Sequence, residues 1–135
     1  MPKPIFICLS LLLSVNTIAK TPVEIHGALH VSGTQLTDVH QQPVVLRGLS
    51  FGWHNLWPRF YNEGTVSWLA SDWGCNVLRA AMGIELNQQG YLKAPEWSKE
   101  KIKAVVDAAI KKGIYVIIDW HSHNIQQEEA KAFFT

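Results

Sequence analysis

Ile114-Tyr115-Val116-Ile117-Ile118 is an unbroken apolar run set between two segments of helical periodicity. This arrangement constrains the fold more than any other feature of the sequence. A strand that is apolar at every position spares no face for water, so it predicts a parallel sheet covered on both sides. Before the run, Ser98 opens a helical pattern with Ile102, Val105, Val106, Ala109 and Ile110 on one face. Lys111 and Lys112 complement the helix dipole in its last turn, and Gly113 stops it. After the run, a further helix starts near Gln126 with Ala130, Phe133 and Phe134 on its face. The same alternation stands upstream. Pro43 to Ser50, carrying Val44, Val45 and Leu46, reads as a first strand. Asn62 caps a helix whose apolar face is Val66, Leu69, Ala70 and Trp73; Gly74 closes it, and Cys75 to Met82 reads as the second strand. Val31 to Leu36 and Thr37 to Pro43 supply short strands and turns, a small β flap. Three strands alternating with three helices predict an α/β fold with a parallel sheet, and no linker or internal repeat divides it.

The amino-terminal residues stand apart from this pattern. Lys3 precedes an apolar run from Ile5 to Val15 broken only by Ser10 and Ser14, and Thr17-Ile18-Ala19 follows with small residues where a signal peptidase reads. Residues 1–19 are therefore expected to be a cleavable signal peptide and the protein to be secreted; a buried N-terminal helix is the alternative. The apolar stretch is too short to anchor in a bilayer, and no later segment is long enough, so no membrane partner is expected. Removal of Cys8 with this segment would leave Cys75 alone, with no intrachain disulfide. Charge narrows the partners further. Twelve Lys+Arg against 11 Asp+Glu give a net charge of +1, without the basic excess of a nucleic-acid-binding chain. With 47% hydrophobic and 17% charged residues, disorder is excluded as well.

Chemistry in parallel α/β folds gathers where the strands end. The first strand runs into Phe51-Gly52-Trp53-His54-Asn55-Leu56-Trp57-Pro58-Arg59-Phe60-Tyr61. Its flat aromatic faces suit the C–H faces of sugar rings, and its His, Asn and Arg suit hydroxyls; packing of the loop on its own aromatics is the plain alternative. Arg79 lies in the second strand, where a guanidinium needs a carboxylate or carbonyls; it serves either a structural ion pair or a catalytic carboxylate. The third strand ends in Asp119-Trp120-His121-Ser122-His123-Asn124. Alternation puts Asp119, His121 and His123 on one side of an extended strand, which permits a zinc site or, more simply, hydrogen bonding by His121. A satisfied core histidine describes His123 better than His121. Glu85 and Asp119 form a candidate, though weak, carboxylate pair for glycoside hydrolysis.

Taken together, Val44-Val45-Leu46-Arg47-Gly48-Leu49-Ser50, the Trp-His loop, Asp72-Trp73, Val77-Leu78-Arg79-Ala80-Ala81-Met82-Gly83 and Tyr115-Val116-Ile117-Ile118-Asp119-Trp120-His121-Ser122-His123-Asn124 resemble the bacterial and nematode endoglucanases of glycoside hydrolase family 5. The resemblance runs from about Val31 to Thr135. It implies a (β/α)8 barrel that cleaves β-1,4-glucan with retention, using two glutamates and neither metal nor cofactor. One glutamate follows an Asn on the fourth barrel strand and the other lies on the seventh; neither has a counterpart in these 135 residues. Arg79 matches the family's arginine beside the nucleophile, and His121 its histidine at the end of the third strand. His54 falls near the strand-one histidine, although the loop spacing differs, and Trp57 matches an aromatic of the substrate cleft.

These features set the expectations. The fold is the N-terminal part of a (β/α)8 barrel, about three β/α units plus the flap, with residues 20–135 a partial catalytic domain. The last helix carries no cap at Thr135, and such a barrel takes eight units and about 250 residues. The sequence therefore reads as cut. The complete protein is expected to be a monomeric secreted endo-β-1,4-glucanase acting on a glucan polysaccharide, with Arg79, His121, His54 and Trp57 supporting the site and binding substrate. The 135 residues alone are expected to be inactive. The alternatives are a non-catalytic carbohydrate-binding module built on loop 51–61 and, behind it, a metal-dependent hydrolase using His121 and His123.

Overall fold

The computed structural model describes residues 19–85 and 89–135; residues 1–18 of the expected signal peptide, Cys8 among them, lie outside these. The chain opens with a short helix α1 (Pro22–His26) and an antiparallel hairpin of β1 (His30–Ser32) and β2 (Gln35–Thr37). Then follow β3 (Gly48–Trp53), α2 (Glu63–Asp72), β4 (Val77–Gly83), α3 (Pro95–Lys112), β5 (Tyr115–His121) and α4 (Gln127–Phe134). A 3₁₀ turn at Pro58–Phe60 interrupts the loop after β3. The sheet has the order β3-β4-β5 and is parallel throughout, as the strand–helix alternation predicts. Among the described residues no helix is long and apolar enough to cross a membrane.

Helices cover one face of this sheet. Leu78, Ala80 and Met82 of β4 form a buried core with Val66 and Leu69 of α2 and with Ile102, Val105, Ala108 and Ala109 of α3. Alternation along β4 then turns Arg79 and Ala81 to the opposite face. The helix ends follow their sequence signals. The Asn62 side chain accepts from the Thr65 amide to cap α2, and Gly113, left-handed at φ +64°, closes α3. Helix α1, absent from the periodicity reading, carries a capping box: Thr21 and Glu24 satisfy each other's backbone N–H, with Pro22 at the first position.

Several boundaries move. The first strand begins at Gly48, not Pro43, because the Val44 amide donates to Leu36 O and Pro43 bridges to Thr37, which gives that apolar stretch to the flap. The Asn76 side chain holds the next residues, accepting from the Arg47 amide and donating to Val45 O. Helix α3 starts at Pro95, not Ser98, which lies buried within its first turn. Ile110 is exposed because it sits about 120° round the helix from the buried stripe. Trp73, past the last turn of α2, is 62% exposed and meets Trp68 edge to face. Strand β5 is not buried on both faces. Among the described residues it is one of the two edge strands of the sheet, and Ile117 and Ile118 are 48% and 38% exposed.

Candidate active site

The site is built where β3, β4 and β5 end, on the face that carries no helix. Register sets Ser50 beside Arg79 and Arg79 beside Ile117, two residues before Asp119. From this middle position the Arg79 guanidinium reaches three groups. Its Nη1 donates to Ser50 Oγ at 2.8 Å, and its Nη2 donates to Asp119 Oδ2 and lies 2.9 Å from His121 Nδ1. Arg79 thus forms an ion pair within the chain, with Asp119 as the partner carboxylate.

His121 Nδ1 lies 2.9 Å from Asp119 Oδ2 as well. One nitrogen therefore faces a group that only donates and a group that only accepts, and it satisfies one at a time. Accepting from Arg79 leaves Nε2–H as a donor; donating to Asp119 leaves Nε2 an acceptor in the neutral ring. Nε2 has no hydrogen-bond partner among the described residues, so the imidazole offers either polarity to a hydroxyl. Above it lies Trp53, whose indole packs 4.9 Å from the His121 ring and 5.4 Å from that of His123. The three rings form one wall.

Trp53 reaches this position through a bulge. Between Ser50 and Trp53 the β3–β4 register slips, and Gly52 takes φ +69°. A Cβ there would stand 2.8 Å from the Trp57 ring. The hydroxyl of buried Tyr61 fills the gap: it accepts from the Ala81 amide at 2.9 Å and has the carbonyls of Gly52 and Ala81 within reach for its own hydrogen. Burial pushes its pKa up, so it keeps that hydrogen.

His54 does not line the open face. It is fully buried, and both ring nitrogens are engaged: Nδ1 accepts from the Gly83 amide at 3.2 Å, and Nε2 lies 2.8 Å from Ser98 Oγ. Buried in this way, His54 presents no free ring nitrogen to the open face. Burial also pushes its pKa down to about 4. Trp57 is 46% exposed but sits beside the outer edge of β3, in a cavity of about 550 Å³ lined by Leu49, Phe60, Trp68 and Ser50 among others. That cavity shares only Ser50 with the Arg79 cluster, so the structure brings Arg79 and His121 together and leaves Trp57 and His54 outside their contacts.

His123 lies past the end of β5 and is exposed, contrary to a core role. Among the described residues no three His, Cys, Asp or Glu side chains converge as a metal-ligand set. Glu85 accepts from the His123 amide at 2.6 Å, and that bond, above all, lowers its pKa. A general acid for glycoside cleavage needs a raised pKa, so Glu85 is shifted in the wrong direction for that task.

Ser98, Tyr61 and Trp53 are the contributors that sequence reasoning undervalued. Ser98 stands in helical register with Ile102, Val105 and Ala109, a spacing that marks it as inward once Pro95 is taken as the helix start.

Residues 37–135 match the cellulase family, glycosyl hydrolase family 5. An endoglucanase of Pectobacterium carotovorum subsp. carotovorum is 37% identical over 131 residues, covering 93% of this chain and 25% of that protein. One of Clostridium saccharobutylicum is 42% identical over 113 residues, covering 80% and 25%. The chain spans about a quarter of the length of these curated relatives. A solved structure from Cytophaga hutchinsonii shares 47% identity at a TM-score of 0.80, over 85% of this chain and 38% of that one. The catalytic domain of a Thermobifida fusca endoglucanase shares 33% at 0.74, over 85% and 39%, and a variant of it has been solved in complex with cellotetraose.

Proposed function

The chain belongs to the cellulase family, glycosyl hydrolase family 5, and from that membership we propose that the complete protein is a secreted endo-β-1,4-glucanase acting with retention. Its three β/α units are part of that family's (β/α)8 barrel. In the proposed reaction one glutamic acid, supplied by chain beyond these residues, protonates the glycosidic oxygen. A second glutamate attacks the anomeric carbon, forming a glycosyl-enzyme as the leaving sugar departs. Water, deprotonated by the first residue, then displaces the enzyme carboxylate, and the two carboxyls of such a site stand about 5–5.5 Å apart. Arg79 and His121 flank this chemistry, supplying positive charge and a hydroxyl partner, and Trp53 gives a sugar ring an apolar face.

The observation that carries the reading is the Arg79–Asp119–His121 cluster across two adjacent parallel strands, walled by Trp53. The experiment is digestion of soluble β-1,4-glucan by the full-length protein, with viscosity, reducing ends and the anomeric NMR signal of fresh product followed together. A rapid viscosity fall with β-anomer appearing first is expected. Absence of new reducing ends, or α-anomer appearing first, would overturn the proposal.

A further inference from the structure

His54 is the one buried histidine whose ring joins three separate elements, and the direction of every hydrogen bond around it is determined. The Gly83 amide can only donate, so Nδ1 holds a lone pair and the hydrogen sits on Nε2. That hydrogen goes to Ser98 Oγ, whose own hydrogen goes to Ala94 O at 2.8 Å. The loop after β3, the end of β4 and the first turn of α3 are thereby joined by one neutral ring packed against Trp97 and Tyr61. The His54 amide adds a second tie, donating to Ala81 O at 2.9 Å.

Gly83 passes this constraint to the cleft. Its carbonyl accepts from the Tyr91 amide, and it pairs with His121 in the β4–β5 register. It also has no room for a side chain: a Cβ would strike Asn55 Oδ1 and stand 3.0 Å from Trp53 Cε3. Trp53 therefore rests on Gly83, and its indole also packs against His121 and His123. The indole and Gly83 are in contact, so the position of one limits that of the other. We propose that His54 is a positioning residue: through the Gly83 amide it holds the wall of Trp53, His121 and His123 in the geometry that grips a sugar ring, without touching the sugar. This rests on the glucan reading above.

Substitutions that divide the two ring nitrogens test it. In His54→Asn the amide oxygen stands near the Nδ1 position and still accepts from Gly83, while the reach to Ser98 is lost. His54→Gln reaches toward Ser98 and leaves the Gly83 amide without an acceptor, and Ser98→Ala removes only the Nε2 partner. All are made in the full-length enzyme and assayed on a soluble cello-oligosaccharide. His54→Gln is expected to raise KM roughly tenfold, the scale of one buried amide left unpaired, with kcat moving less. His54→Asn rescues KM to within about twofold of wild type, as Ser98→Ala preserves it, although both lower Tm. Equal KM changes in the Asn and Gln variants, KM values that simply follow Tm, or no change in any variant would each overturn the proposal. Nitrogen-15 NMR of the wild-type histidines gives a reading free of substrate and of variant folding. An Nε2–H ring unchanged between about pH 7 and pH 5 is expected, and an Nδ1–H ring or a titration in that range overturns the assignment. A wild-type enzyme inert toward β-glucan would sink the glucan reading instead, and the NMR result would still stand.

Discussion

At the scale of single residues, His54 links burial to pH. Its pKa is about 4 in the folded chain because burial disfavours the charged ring, whereas an unfolded histidine titrates near 6.5. The unfolded chain therefore takes up this proton first as pH falls. Stability from this group is complete above about pH 6.5 and drains away as pH falls toward 4, by roughly 3 kcal/mol in all. The lowered carboxyl of Asp38 is lost only below its ordinary value of 3.8, so the two windows are separate. Melting of the full-length protein between pH 7 and about pH 4.5 should thus show a falling Tm, with a flatter profile from a lower starting point in His54→Gln. An equally steep profile in the variant would contradict the assignment. His121 is the last residue of β5, whereas Arg79 is the third of seven in β4 and reaches the site by the length of its side chain; that both lie in strands was legible, because alternation and charge in an apolar strand are local signals. The sequence could not place His54, since the ring's inward turn depends on Gly83 and Ser98, which lie 29 and 44 residues away.

At the scale of elements, the bulge in β3 aims the loop, and Tyr61 completes it. The slip in register leaves the Ala81 amide without a strand partner, and the tyrosine hydroxyl takes that place. Tyr61→Phe keeps the ring and removes the hydroxyl, so a buried donor and a carbonyl are left unmatched. A loss of about 1–3 kcal/mol in denaturant unfolding is expected. A loss no greater than that of an exposed tyrosine such a substitution would leave unaffected, near zero, would show that the hydroxyl is not needed there. Helix α2 was legible from its Asn62 cap and its stripe, α3 from its stripe and the Gly113 stop, and α4 from Ala130 and Phe133. Helix α1 is only five residues long, so periodicity could not reveal it, although Thr21-Pro22-Val23-Glu24 carries the chemistry of a helix start. The β3 boundary was misplaced for a different reason: Val44 and Val45 have strand propensity, and the flap competes for their backbone.

At the scale of the molecule, the sheet has two open edges among the described residues. Leu49, Phe60 and Trp68 are exposed beside β3, and Ile117 and Ile118 along β5. Unpaired strand edges beside apolar surface favour association. A polypeptide of residues 20–135 made by itself is expected to grow in mass with concentration by sedimentation velocity, and to release no reducing sugar from β-glucan. A monomer at every concentration, or turnover by that polypeptide, would contradict this. The sequence pattern conveyed the parallel order of the sheet; it overstated the burial of β5, because an apolar run reports what a strand is suited to meet, not what lies against it here.

One pair of contacts bears on the order of events in time. The Val23 amide of α1 donates to Gly113 O, and the Tyr115 hydroxyl donates to Gly27 O across a separation of 88 residues. Closing a flexible loop of that length costs about 4 kcal/mol of entropy. Whether the chain emerges from the ribosome or from an export channel, its leading segment must wait, unfastened, until β5 has followed. Strands β3 and β4 and helix α2 can form in turn, but the amino-terminal latch closes only after Tyr115 has emerged.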